Sequence, residues 1–342
     1  MEITKNQHYV PQSYLRNFGE KNLVHISINK GNVFKKTVKK VCSEQFLYDV
    51  ENFDLPDKQI IEHFYGKHID AYFPLITKFC EDAKQQDLSP QMREMFVTCC
   101  LSLIFRHPNF INKNPNFSDE DIIIEKGNKQ INYSKIKRVN AHLENFKRIV
   151  DLRINDGIAV SFCDLKTEFI TNDNPVLITN AAIQLESHFD LSNMLYLTLT
   201  PRICITFTPS DDKDLIGTFQ KTLMSKDQVF LINSRVDEQS EMTLIGTEKG
   251  LNNYFQEKEF YSDEKNGLEY LERVKQHFEV VSEVYRIAQV EGPISDKLET
   301  FMDDKLKEIP SLKENLSFMQ QLFQIKLIKQ SKEKEVAFEV AD

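Results

Sequence analysis

Two short segments concentrate the side chains that can move protons or bind anions. The first, His8-Tyr9-Val10-Pro11-Gln12-Ser13-Tyr14-Leu15-Arg16-Asn17-Phe18, sets an imidazole, two amides, a guanidinium and two phenols among apolar anchors. Pro11 restrains the chain and biases Val10 to an extended conformation, so His8 and Tyr9 enter with a fixed direction. An imidazole held this way can serve as general acid or base near neutral pH. The second, Phe169-Ile170-Thr171-Asn172-Asp173-Asn174-Pro175-Val176, reads as a strand end running into an amide-rich turn. A carboxylate there can orient a histidine, bind a metal or polarise water. Each segment also has a purely structural reading: a terminal strand tethered by its aromatics, and a side-chain-capped turn before Pro175.

Further candidates lie on helices. Arg106-His107-Pro108 ends one of them, and an arginine beside a core helix can grip a phosphate or carboxylate with two parallel hydrogen bonds. Glu62 and Asp70, eight residues apart on another helix, point roughly the same way about two turns apart. That pair is either a solvated face or, given its neighbours Phe64, Tyr65 and Ile69, a partly buried one. The candidate catalytic set is therefore His8, Arg106 and Asp173, and the candidate binding set is Tyr9, Gln12, Asn174 and Glu62. No metal-ligand set stands out, which leaves a divalent cation beside Asp173 as the one cofactor to consider.

The flanking pattern predicts the elements that hold these groups. Leu23–Ile28 and Val33–Val38, separated by Asn29-Lys30-Gly31-Asn32, form a β-hairpin, with a further extended run at Phe46–Tyr48. Apolar spacing over 57–84 predicts a long helix bent near Pro74, and Ser89-Pro90 caps a second. The acidic, polar stretch 109–128 reads as a surface loop or insertion, and a third helix follows over Tyr133–Asn155. Short β-type runs at 158–162, 168–171, 195–199 and 203–207 then make a mixed or antiparallel sheet. Helical periodicity returns over 267–327. The class is α+β, divided into residues 1–260, a helical extension over 261–330 and a charged tail over 331–342.

Composition narrows the function classes. A net charge of −9 opposes attraction of the whole surface to nucleic acid or anionic lipid, so a polyanion partner needs a local basic site. The six cysteines show neither C-x-x-C nor zinc spacing and are read as reduced core thiols. No apolar stretch reaches the roughly 18–20 residues of a membrane span, and the N-terminus carries no apolar signal core; a cytoplasmic location and no membrane partner are expected. Gly-rich phosphate loops, nucleophile elbows and H-E-x-x-H are absent from the sequence.

The first segment resembles the N-terminal signature of the bacterial domain of unknown function 4238 family, and the second resembles that family's other hallmark. Phe46-Leu47-Tyr48, Ile61-Glu62 with Asp70, Arg106-His107-Pro108, Leu199-Thr200-Pro201-Arg202 and Phe230-Leu231-Ile232-Asn233 are similar as well, so the resemblance covers roughly residues 5–250. It departs at Asp70, where the family usually has Glu, and in a longer helical tail. The resemblance implies that His8, Gln12, Arg106, Asp173 and Asn174 converge; it implies no reaction. Three expectations follow. The chain is a phosphodiester-acting, nuclease-like enzyme, with His8 as acid or base, Arg106 stabilising phosphate and Asp173 orienting His8 or a cation, on nucleic acid or a nucleotide. Alternatively it is a non-catalytic recognition protein that binds a small anion or a partner chain and assembles, with itself or another protein, through its C-terminal helices. Or His8 and Asp173 merely tie the N-terminus to the sheet.

Overall fold

The computed structural model describes residues 4–49, 59–82, 87–108, 123–126, 129–178, 194–209, 219–270 and 296–308, with isolated positions between 272 and 287. They form an α+β fold divided into two compact units, Met1–Lys221 with Ile232–Tyr254, and Thr222–Leu231 with Phe255–Asp342. No described helix is long and apolar enough to cross a membrane.

In the first unit, β1 (Asn6–His8) leads into a short helix α1 (Gln12–Leu15) and β2 (Gly19–Glu20). The hairpin β3 (Leu23–Ile28) and β4 (Val33–Thr37) forms as expected, with Ile26 opposite Phe34. β5 (Ser43–Gln45) runs antiparallel to β1 rather than extending the hairpin, and Phe46–Tyr48, expected to be extended, is a turn. The first long helix is interrupted earlier than Pro74. α2 (Ile60–Phe64) passes into a π-helical turn, Tyr65–Ile69, before α3 (Tyr72–Glu81). Pro74 lies in the first turn of α3, where its missing N–H has no intrahelical partner to lose.

Helix α4 (Pro90–Phe105) begins where Ser89 Oγ accepts from Met92 N at 3.2 Å. Phe96, Val97 and every residue from Cys99 to Phe105 are buried, so the helix runs through the core apolar on all sides and delivers Arg106 into the interior at its C-terminus. Within the 109–128 stretch, expected as a loop or insertion, β6 (Ile123–Lys126) is a strand that pairs with β7 (Lys129–Asn132), while the other residues of the stretch lie outside those described. α5 (Tyr133–Arg153) packs on α4.

β8 (Gly157–Cys163), β9 (Thr171–Asn172), β10 (Val176–Ile178), β11 (Leu195–Thr200), β12 (Ile203–Thr208), β13 (Phe219–Met224) and β14 (Thr243–Gly246) build two sheets. One has the order β10-β11-β12-β8-β13; in the other, β2-β3-β14-β9, the edge strand β4 pairs with β3. Residues 168–170, expected as a strand, lie outside the ladders of both sheets. Asn233, on helix α6 (Lys226–Gln239), serves them instead: its Oδ1 accepts from Ile170 N at 3.0 Å and its Nδ2 donates to Glu168 O at 2.9 Å. All six cysteines are unpaired and buried.

The second unit contains the end of α7 (Glu248–Ser262), where Phe230, Tyr261 and Tyr270 stack with ring centroids 4.7–5.2 Å apart. In α8 (Asp296–Glu308), Leu298 and Met302 are buried. Most of the expected 267–327 helical stretch and all of the 331–342 tail lie outside the described residues.

Tyr14 joins the two sequence motifs. Its buried hydroxyl donates to Thr198 O at 2.7 Å and shares a 2.7 Å hydrogen bond with Thr171 Oγ1. Tyr14→Phe leaves both partners buried and unsatisfied, so it should lower stability by about 1–3 kcal/mol. Urea unfolding of the two proteins checks this, and coincident midpoints would show that the hydroxyl contributes nothing to holding the motifs together.

Candidate functional site

The N-terminal strand, the π-helical turn and the end of α4 meet at Arg106. Its Nη2 donates to His8 O at 2.6 Å, its Nη1 donates to Asp70 Oδ1 at 2.6 Å, and its guanidinium carbon sits 4.5 Å above the centre of the Tyr65 ring. Arg106 is 1% exposed. Burial opposes its charge, yet Asp70 together with Tyr48 and Tyr65 holds its pKa above the ordinary value. Tyr48 completes the helix end by donating to Arg106 O at 2.7 Å, satisfying one of the carbonyls a C-terminus leaves free.

The π turn explains how Glu62 and Asp70 share this charge. In a regular α-helix, residues eight apart lie about 80° out of line. Here Asp70 N reaches back five residues to Tyr65 O at 2.9 Å, and the one extra residue in the turn reduces the mismatch to about 20°. Both carboxylates then act electrostatically on Arg106. They are not equivalent, since Asp70 receives the guanidinium while Glu62 Oε2 is buried without a hydrogen-bond partner among the described residues. Burial pushes the Glu62 pKa up from 4.5 to about 7, and the Asp70 charge adds to the rise against the pull of Arg106.

His8 is buried at 7% exposure. Its Nε2 lies 3.3 Å from Val38 O; because a carbonyl only accepts, Nε2 carries the proton and Nδ1 keeps the lone pair. Burial lowers its pKa, with Arg106 adding to the fall, so the ring is held neutral. Tyr9, next along the strand, sits edge-on to His107 with centroids 5.1 Å apart and interacts with Cys42 and Asp173. His107 Nδ1 in turn lies 3.8 Å from Glu241.

Asp173, expected beside His8, makes no hydrogen bond to it. Its carboxylate accepts from Glu241 N at 2.9 Å, Met242 N at 2.8 Å and Thr243 N at 2.9 Å, clamping the start of β14. Burial nonetheless raises its pKa against the pull of those three donors. Neighbouring amides do similar work: Asn172 Nδ2 donates to Val236 O at 2.6 Å, its Oδ1 accepts from Asn174 N at 2.8 Å, and Gln239 Nε2 donates to Asn174 O at 2.8 Å. Gln12 lies apart, its Oε1 accepting from Arg16 at 3.4 Å. Of the seven candidates, His8, Arg106 and Glu62 gather in one cluster, Tyr9 and Asp173 lie in the adjoining one, and Asn174 and Gln12 face their own local partners.

Tyr65, Gln7 and Gln59 belong to the same construction, and sequence reasoning does not single them out. Gln7 Oε1 accepts from Tyr48 N at 2.5 Å, and Gln59 exchanges two 2.8 Å hydrogen bonds with the backbone of Thr4. Gly66 inside an otherwise helical apolar pattern is the available signal that the helix is irregular at Tyr65. Among the described residues no group of three or more His, Cys, Asp or Glu is placed to hold a metal ion.

A family model described as a protein of unknown function (DUF4238) matches residues 6–250. No curated protein and no solved structure matches the chain.

The Glu62 environment has a consequence for stability. The folded pKa lies above the unfolded one, so the group's contribution is complete below about pH 4.5 and is lost as pH rises through about 7. Glu62→Gln mimics the neutral form and should match the wild type near pH 4, then become the more stable protein at pH 8. Thermal unfolding across that range checks it; a gap that does not change with pH would mean the carboxyl titrates normally.

Proposed function

The chain belongs to the DUF4238 family, and from the geometry around Arg106 we propose that it is an acid–base hydrolase acting on phosphodiesters, a nuclease-like enzyme. The observation that carries this reading is Glu62, a carboxyl with one unpartnered buried oxygen and a pKa raised to about 7, placed beside a buried arginine. A group titrating near the working pH is the efficient choice for moving protons in both directions. Ionised Glu62 takes the proton of an attacking water; the new bond forms to phosphorus, the bond to the leaving alcohol breaks, and the proton passes to the departing oxygen. His8 Nδ1 is the second proton acceptor of the cluster. Arg106 has both Nη groups engaged by Asp70 and His8 O, so its part is to supply positive potential and fix the two segments that carry Glu62 and His8. Asp173 belongs to the framework that positions Tyr9.

Hydrolysis of bis(p-nitrophenyl) phosphate and of oligonucleotides by purified protein tests the proposal. Activity should rise through a limb near pH 7, and Glu62→Gln should cost about 100-fold or more and abolish the limb. Activity that persists unchanged in Glu62→Gln would overturn the assignment.

The second reading, a non-catalytic protein assembling through its C-terminal helices, is favoured by one observation: Phe260 and Leu268 are 57% and 61% exposed. Large apolar side chains left in solvent suit a partner surface. Sedimentation of the wild type and of Phe260→Ser/Leu268→Ser separates the readings, because only the assembly reading expects the double variant to dissociate a complex.

A further inference from the structure

Between Glu20 and Glu44 the chain carries Lys21, Lys30, Lys35, Lys36, Lys39 and Lys40 and not one carboxylate, in a protein whose net charge is −9. The fold gathers these lysines on the β3–β4 hairpin and the 3-10 turn Val38–Lys40 that follows it. Lys21, Lys30, Lys35, Lys39 and Lys40 are exposed and Lys36 is half-buried. Lys30 pairs with a carboxylate, Asp237 at 3.4 Å. β4 is a sheet edge, and one or two lysines suffice to keep such an edge from pairing with another chain. A run of this length concentrates far more charge than that purpose requires.

Two features tie the run to more than edge protection. Phe34, in the middle of β4, is 44% exposed, and residues two apart on a strand share a face, so it lies with Lys36 while Lys35 points to the other side. The same segment also forms a wall of the candidate site: Val38 O holds the His8 ring, the Lys39 backbone acts on it too, and the Lys36 charge reaches Cys42, beside Tyr9.

We propose that the β3–β4 hairpin and its 3-10 turn form a binding surface for single-stranded nucleic acid, with Lys36, Lys39 and Lys40 on successive phosphates and Phe34 as a stacking platform for a base. A lysine track interleaved with an exposed aromatic is the arrangement that holds a single strand without reading its sequence. Its position beside His8 leads the strand to the acid–base cluster. The surface deepens the phosphodiester reading and rests on it for its purpose, but binding and turnover separate experimentally.

The test is fluorescence anisotropy of labelled oligo(dT) and oligo(U) with the full chain, at salt concentrations from about 50 to 300 mM, the range over which phosphate neutralisation is read. Wild-type affinity should fall linearly on a log–log plot. In Lys36→Gln/Lys39→Gln/Lys40→Gln the slope should shrink by about 2, near 0.7 for each phosphate no longer neutralised. Phe34→Ala should weaken binding roughly tenfold at every salt concentration. Phe34, Lys39 and Lys40 are exposed and Lys36 half-buried, and an unchanged thermal midpoint confirms that the variants are folded. Preference between the two oligonucleotides identifies RNA or DNA as the target. Absence of binding at the lowest salt, or binding and slope unchanged in the triple variant, overturns the surface. Binding that needs the lysines while Glu62→Gln leaves oligonucleotide turnover untouched would keep the surface and remove the catalytic reading; turnover of the small diester with no oligonucleotide binding would do the reverse.

Discussion

A guanidinium buried to 1% exposure has to be satisfied from inside the protein, and the architecture around the candidate site follows from how Arg106 is satisfied. Taking such a charge out of water costs several kcal/mol unless anions and acceptors surround it. Arg106 therefore needs the His8 carbonyl, the Asp70 carboxylate and the Tyr65 ring at once. Those three groups come from β1 and from the π turn with its end, so one side chain at the end of α4 fixes the mutual position of β1, the π turn and α4. The π turn is part of the same solution, because a regular helix would swing Asp70 and Glu62 to different sides.

Once Asp70 and the backbone have taken the guanidinium, Glu62 is left with the field of the cluster and few hydrogen bonds of its own. That asymmetry turns two similar carboxyls into different chemical objects. Asp70 is the hydrogen-bonded counter-ion of Arg106, while Glu62 is pushed by burial into the range where it exchanges protons at neutral pH. His8 is biased in the complementary direction: burial keeps it neutral, and a backbone carbonyl fixes which nitrogen holds the proton.

Much of this was readable from residue types. The α+β class, the β3–β4 hairpin and the Ser89 cap all rest on local rules of periodicity, turns and caps, which act within a few residues, whereas the alignment of Glu62 with Asp70 depends on the π turn. What escaped was set by distant partners. Residues 168–170 look like a strand because their apolar character is that of buried extended chain, but the side chain of Asn233 takes up their backbone groups. Asp173 looks catalytic because a carboxylate before an Asn-Pro turn is chemically suggestive, yet three backbone N–H groups from 241–243 claim it. The break at Tyr65–Ile69 escaped because Pro74 is the louder signal, although a proline in the first turn of a helix removes nothing that the helix uses.

The tie between the first residues and the last third of the unit bears on how the chain is made. Tyr14 bonds across 157 and 184 residues, and β3 pairs with a strand at 243–246. On a ribosome, the His8–Phe18 segment meets β5, Val38 and Phe73 early, but the Thr171 and Thr198 groups that Tyr14 bonds arrive only when much of the unit has followed. Its Val10, Tyr14, Leu15 and Phe18 side chains, all fully buried in the finished fold, stay incompletely covered for that interval, the condition under which nascent chains aggregate or recruit chaperones. Long-range closure of this kind also makes folding slow. For this chain the N-terminal motif is assembled in stages, its ties to β5 and Phe73 first and its ties to Thr171 and Thr198 later.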